Sequence, residues 1–177
     1  SFFSYVIIVF LLFSVSACGG EYLAEKHLYK ANQKARGMEM SQASDSDIAG
    51  LIQSYRTVTE KWPLSKSAAS AHRAIANLYL IQKKYEQAKN EIETLILNFS
   101  NNSSIATQAR FFLGKIHERE KNYDKAASVY RELYELFPTS RQGLLAPLYV
   151  AEMYKKTDQT QKSQNAYEKA LQHYKKQ

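Results

Sequence analysis

An all-α fold, assembled from helix pairs stacked side by side, is what this sequence predicts, and three observations predict it. The chain repeats itself: Lys84-Tyr85-Glu86-Gln87-Ala88-Lys89 matches Asn122-Tyr123-Asp124-Lys125-Ala126-Ala127 after 38 residues, and Thr160-Gln161-Lys162-Ser163 matches again after a further 37. A fixed internal period of this length marks stacked repeat units. Large apolar residues recur at spacings of three and four, as in Ile75, Leu78, Tyr79 and in Ile92, Leu95, Ile96, Phe99, which is the stripe of a helix with one buried face. Finally, six Gly and three Pro in 177 residues leave little to break helices, and the plentiful Ala, Leu, Lys, Gln and Glu favour them.

Taken in order, the first twenty residues stand apart. Phe2 to Phe13 is an apolar run without charge, followed by Ser-Val-Ser-Ala-Cys-Gly-Gly, the hydrophobic core and small-residue cleavage region of a secretory signal. To Ala17 the run falls short of the roughly 20 residues that a spanning helix needs. The chain opens at Ser1 with neither an initiator Met nor a basic start, so a preceding piece of the leader is expected. Cys18 is the one cysteine, which excludes an intramolecular disulfide. The expected division is a signal over 1–17, Cys18 with a short linker over 18–21, and a repeat domain over 22–177.

The repeat domain reads as four two-helix units: 22–40 with 46–61, 66–82 with 85–98, 104–120 with 123–137, and 140–156 with 160–175. Asp45 and Ser46 offer a helix cap, while Pro63, Pro138 and the polar run from Ser100 to Ser104 mark breaks. The same offsets align Tyr79 with His117 and Tyr154, and Tyr55 with Ile92, Tyr130 and Tyr167. They also align Trp62-Pro63, Phe99-Ser100, Phe137-Pro138 and Tyr174. A single helix pair cannot bury its apolar stripe, so stacking supplies the core.

These residues resemble the tetratricopeptide repeat. The third unit matches best, with Leu113-Gly114, His117, Ala126, Tyr130, Leu133 and Pro138 at the family's Leu-Gly, aromatic, Ala, aromatic, aliphatic and Pro positions. The second keeps Tyr79, Ala88 and Ile92 but has Ala76 for Gly and Ser100 for Pro; the fourth keeps Tyr154 and Tyr167 but has Ser163 for Ala. The first is degenerate. The resemblance implies a right-handed α-solenoid of three clear repeats plus one degenerate, with a period of 37–38. It also implies packing roles: Gly114, Ala88 and Ala126 let helices approach, Tyr79, Tyr130, Tyr154 and Tyr167 fill the gaps between them, and Pro138 closes a unit. The first helix of each pair would line a partner-binding groove through Arg73 and Asn77, Phe111, Lys115 and Arg119, and Leu148, Glu152 and Lys155.

Val15-Ser16-Ala17-Cys18 resembles the bacterial lipobox. That resemblance implies lipid on the Cys18 sulfur, cleavage before it, and attachment to the outer membrane facing the periplasm, since Gly19 and not Asp follows the cysteine. Lipobox and repeats together are similar in organisation to the lipoprotein component of the outer-membrane β-barrel assembly machine; adaptors of peptidoglycan enzymes and pilus-biogenesis lipoproteins stay open. Expected partners are other envelope proteins or peptides, with the membrane reached through the lipid.

No enzyme is expected. The sequence has no Gly-rich phosphate loop, no His-Glu-x-x-His and no Gly-x-Ser-x-Gly. His27, His72, His117 and His173 are scattered rather than set at metal-ligand spacing, so neither a metal nor any cofactor besides the lipid is expected. The net charge of +7 is uneven: the last 23 residues hold six lysines against two acids. A solvated lysine face, not a nucleic-acid stripe, is the expectation for them, and no small-molecule substrate is expected.

Overall fold

The computed structural model describes the chain from Phe2 to Lys175, and its side chains from Gly19 onward except that of residue 173. The described residues form helices α1 (Phe2–Arg36), α2 (Asp45–Lys61), α3 (Lys66–Ile81), α4 (Tyr85–Asn98), α5 (Ser103–Arg119), α6 (Tyr123–Leu136), α7 (Arg141–Lys156) and α8 (Thr160–Tyr174), with no strand among them. The fold is the expected all-α array of helix pairs. Residues 1–78 and 79–177 form two compact units, and α3 spans the division.

The first helix differs from the expectation. It starts at Phe2 instead of 22 and runs unbroken through Gly19 and Gly20 to Arg36. Two glycines each cost about 1 kcal/mol against Ala, too little to interrupt a helix this long. Cys18 and the apolar run before it lie outside the residues whose side chains are described. Among those that are described, no helix is long and apolar enough to cross a membrane.

In the first unit, α1 lays Ala24 and Ala31 in the core with Ile48, Leu51, Tyr55 and Val58 of α2, all buried. The Tyr55 hydroxyl donates to Asn32 Oδ1 at 2.8 Å, tying the two helices across the pair. Ser44, not Asp45 or Ser46, caps α2: its Oγ accepts from the Asp47 N–H at 3.2 Å while Asp47 Oδ2 accepts from the Ser44 N–H at 3.1 Å. That reciprocal pair is a capping box, which needs an acid three residues after the cap and finds it only from Ser44. At the start of α3, the Glu21 carboxylate accepts from the N–H groups of Lys66 and Ser67 at 3.3 and 3.4 Å, placing negative charge where a helix N-terminus favours it.

In the second unit, the turn inside each helix pair has the same backbone. Lys83, Lys121 and Asp158 have φ of 57, 61 and 57°, the left-handed region. The next N–H in each case donates to a carbonyl five residues earlier: Lys84 to Tyr79 and Asn122 to His117 at 2.8 Å, Gln159 to Tyr154 at 3.0 Å. This six-to-one bond ends a helix by satisfying a carbonyl the helix leaves open. The three residues are 38 and 37 apart, so the sequence period is also a backbone period. Asn102, Asn122 and Ser140 then cap α5, α6 and α7 with side-chain oxygens.

Two glycines are demanded by close approach. A Cβ on Gly114 would stand 2.4 Å from Cε1 of Tyr130, and one on Gly143 would stand 1.9 Å from the Phe137 carbonyl oxygen. Around them, Ala126, Ala127, Tyr130, Leu133, Ala146, Val150 and Met153 form the core that joins α6 to α7. Gly50 is the contrast, because a Cβ there meets nothing nearer than the mobile Lys34 Nζ at 3.3 Å.

Substitution by Ala should rank these sites in chemical denaturation. Gly143→Ala is expected to lose about 3 kcal/mol, since backbone must move, and Gly114→Ala about 1–2 kcal/mol after its gain in helix propensity; Gly50→Ala should gain up to about 1 kcal/mol. Equal effects at all three would contradict the packing described. Separately, Lys121→Gly should raise stability by about 1 kcal/mol, because Gly carries no Cβ penalty in the left-handed region.

Candidate functional site

The face built from α5, α6 and α7 starts with Phe111, Lys115 and Glu118. Their spacing of four and then three puts them on one side of α5. From α7, Tyr149, Glu152 and Lys156 share a face by the same rule, and α6 contributes Tyr130 from beneath. The Phe111 and Tyr149 rings lie 5.2 Å apart, Tyr130 and Tyr149 5.1 Å, and Phe111 and Tyr130 5.9 Å, all tilted. Tilted pairs at these separations are favourable contacts. The Lys115 ammonium stands 4.8 Å from the Tyr149 ring centre and 5.6 Å from that of Phe111, within reach of the negative ring faces.

Charge is organised around Glu118. Its Oε1 accepts from Lys115 Nζ at 2.8 Å and from the Tyr130 hydroxyl at 2.5 Å, and its Oε2 lies 3.6 Å from Lys156 Nζ. Burial opposes the charged carboxylate, but the bonds from Lys115 and Tyr130 and the two ammonium charges outweigh it and hold Glu118 below the ordinary carboxylate range. Burial, with Glu118 alongside, pushes the Tyr130 phenol far above its usual range. The face thus keeps an ionised carboxylate under a protonated phenol, with a cation poised over three rings.

One turn along, Lys115, Glu118 and Arg119 border a hollow of about 320 Å³ with Leu80 and Phe112. Beside it lies a second polar cluster. Lys89, 7% exposed, bridges Glu86 at 2.6 Å and Glu120 at 3.1 Å, joining α4 to the end of α5. Burial works against the Lys89 charge, yet the two carboxylates win and raise its pKa. His117 is buried, and burial lowers its pKa; its Nδ1 lies 3.4 Å from Glu120 Oε2 without the geometry of a hydrogen bond. Among the described residues no three His, Cys, Asp or Glu gather to hold a metal.

The structure therefore brings Phe111, Lys115 and Glu152 together and adds Glu118, Tyr149 and Lys156, which the repeat positions did not single out. On α7 the expected 148, 152 and 155 become 149, 152 and 156: Glu152 holds, and the flanking positions each move by one residue. Leu148 is 37% exposed at the edge of this face and Lys155 is exposed. Half-buried Arg73 and exposed Asn77 belong to the first unit. Of the packing residues, Ala88, Ala126 and Tyr130 are fully buried, Tyr79 and Tyr154 half-buried, and Pro138 is exposed in the α6–α7 turn. Tyr167 departs from the packing role expected for it: it is 42% exposed. Tyr130, by contrast, is covered by Tyr149 of the following helix pair.

Helix pairs of this period, with a tyrosine seated on a glycine between them, agree with the family comparison: residues 73–141 match the tetratricopeptide repeat. Over that stretch the chain is built of tetratricopeptide repeats. Among curated sequences, this repeat protein is similar to the E3 SUMO-protein ligase RanBP2 of Homo sapiens and of Pan troglodytes, 35% identical over 117 residues, which are 66% of this chain and 3% of theirs. It is also similar to the human RanBP2-like and GRIP domain-containing protein 3, 38% identical over 85 residues, 48% of this chain and 4% of that one. The chain thus spans only a few hundredths of the length of these relatives. Among solved structures, the tetratricopeptide array superposes on BtubC from P. vanneervenii with a TM-score of 0.66 at 12% identity, covering 88% of this chain and 64% of that one. A Podospora anserina putative kinesin light chain with nearly identical repeats gives 0.57 at 10% identity, covering 89% and 94%. At such identities the likeness is one of fold.

Glu118, Glu120 and His117 all have folded pKa values below their ordinary ones. The unfolded chain therefore binds more protons in acid, and stability must fall as pH falls. The loss should begin near pH 6.5, the ordinary histidine value, and steepen through the carboxylate range. Denaturation midpoints between pH 8 and 3 check this, and Glu118→Gln should flatten the acid limb; a midpoint that rises toward acid would contradict it.

Proposed function

We propose that this chain is a non-enzymatic protein-interaction scaffold, anchored through lipid on Cys18 in the bacterial outer membrane, that holds other envelope proteins in the periplasm. The observation that carries the scaffold reading is the α5–α7 face. Phe111 and Tyr149 present rings beside a cation, and Leu145 and Leu148 are each 37% exposed next to them. Aromatic anchors ringed by paired charges are the make-up of protein-binding surfaces, and the face contains no arrangement of nucleophile and base. The partner contemplated is a segment of an envelope assembly complex, and no cofactor beyond the lipid is called for.

The anchor reading rests on Val15-Ser16-Ala17-Cys18 and on Cys18 being the one cysteine. Two or more acyl chains would make attachment stable where a single one is marginal.

Intact-mass analysis of the full gene product made in a Gram-negative host tests the anchor. The expected mature chain begins at Cys18 and carries acyl chains that vanish in Cys18→Ala; an unacylated mass in both overturns it. For the scaffold, chemical cross-linking in the envelope should capture partners that a Lys115→Ala/Tyr149→Ala variant, with unchanged helical content, fails to hold. Equal capture by that variant would remove the α5–α7 face from the proposal.

A further inference from the structure

Two lysines of the basic helix α8 line a groove instead of standing on a purely solvated face. A groove of about 550 Å³ runs between α6 and α8 along α7. Its wall carries Arg131 from α6 and Lys162 and Lys169 from α8, and Tyr134, Val150 and Tyr154 are among its apolar lining. No carboxylate is among the described residues that line it. Three cations stand around an apolar floor, whereas Lys89, Lys115 and Lys156 of the same unit each face a glutamate; the groove is a surface awaiting negative charge.

This groove is not the α5–α7 face. On α7, at about 100° per residue, Tyr154 lies about 140° round the helix from Tyr149 and about 200° from Lys156. The α7 helix therefore serves one surface on each side.

We propose that the groove binds an extended acidic peptide segment with aliphatic side chains between its carboxylates. The geometry selects this ligand. Lys162 and Lys169 are seven residues apart, two helical turns, or about 10 Å along the axis. An extended peptide in the polyproline II conformation has three residues per turn and rises about 3.1 Å per residue, so acids three residues apart share one face about 9 Å apart and meet both ammonium groups, and Arg131 faces the pair from the opposite wall. Between them an aliphatic side chain meets the floor. A nucleic acid would supply the charge but needs open rings for its bases. Tyr134 and Tyr154 pack against the Tyr130 core, and the Lys162 ammonium stands 5.6 Å over the Tyr154 ring. The Tyr154 face is thus already occupied. Lys162 is held by a neutral partner, donating to Gln159 Oε1 at 2.6 Å, so its charge is not cancelled there.

The test is fluorescence anisotropy on the full chain with a labelled peptide whose core is Glu-Leu-Leu-Glu. The matching Gln-Leu-Leu-Gln peptide and a single-stranded oligonucleotide of equal length serve as comparisons. The acidic peptide should bind, and Lys162→Gln/Lys169→Gln should weaken it about tenfold, as two partly exposed ion pairs are lost. Lys125→Gln/Lys155→Gln removes the same charge away from the groove and should leave binding within about twofold. Three results overturn the proposal: no binding beyond that of the Gln peptide, an equal loss in the control variant, or an oligonucleotide that binds more tightly through Lys162 and Lys169. Surface substitutions of this kind leave the core intact, and a circular dichroism spectrum identical to that of the parent verifies it.

Discussion

The ring of Tyr130 on the bare backbone of Gly114 is the contact on which the second unit depends. It sets how near α6 comes to α5, since any side chain at 114 would occupy the ring's place. Once seated, the ring is fully buried, and a buried phenol must find a hydrogen-bond partner. Glu118 is that partner, one turn along from Gly114, and its charge is in turn held by Lys115 and Lys156. A core contact is thereby converted into the polarity of a surface, and Tyr149 completes it by covering the ring from the next helix pair.

The period that makes the fold readable has two origins. Core positions recur because every unit packs the same way, so Tyr55, Ile92 and Tyr130 are all buried and their spacing is visible in the residues themselves. The turns recur as well, but in backbone alone. Lys83, Lys121 and Asp158 adopt a conformation that favours Gly, and nothing in their side chains advertises it. Gly143 is hidden for a related reason. Its need comes from the Phe137 carbonyl, brought back by the α6–α7 turn, and only the folded chain brings the two together.

The candidate site was legible to the same degree and for the same reason. Repeat positions select Phe111, Lys115 and Glu152 because those stand at fixed repeat positions on the first helices of their pairs. They do not select Glu118, Tyr149 or Lys156, whose roles come from a ring on a different helix. The helix boundaries were legible from α2 onward to within about a residue, where caps and prolines mark them. At α1 they were not, because Gly19-Gly20 reads as a break and the helix continues through it. The groove between α6 and α8 was visible only as an excess of lysine near the C-terminus; that Arg131 faces those lysines depends on helix packing.

Packing and charge in the second unit converge on Tyr130, and its ionisation is their most direct measure. The ¹³C resonance of its phenolic carbon, followed by NMR while pH is raised, reports whether the hydroxyl is buried and bound to Glu118. The account predicts that this signal stays that of a protonated phenol until circular dichroism shows the helices melting. A Tyr130 midpoint in the ordinary tyrosine range, reached with the helices intact, would mean that the ring is not seated on Gly114 and that the α5–α7 face is not built as described.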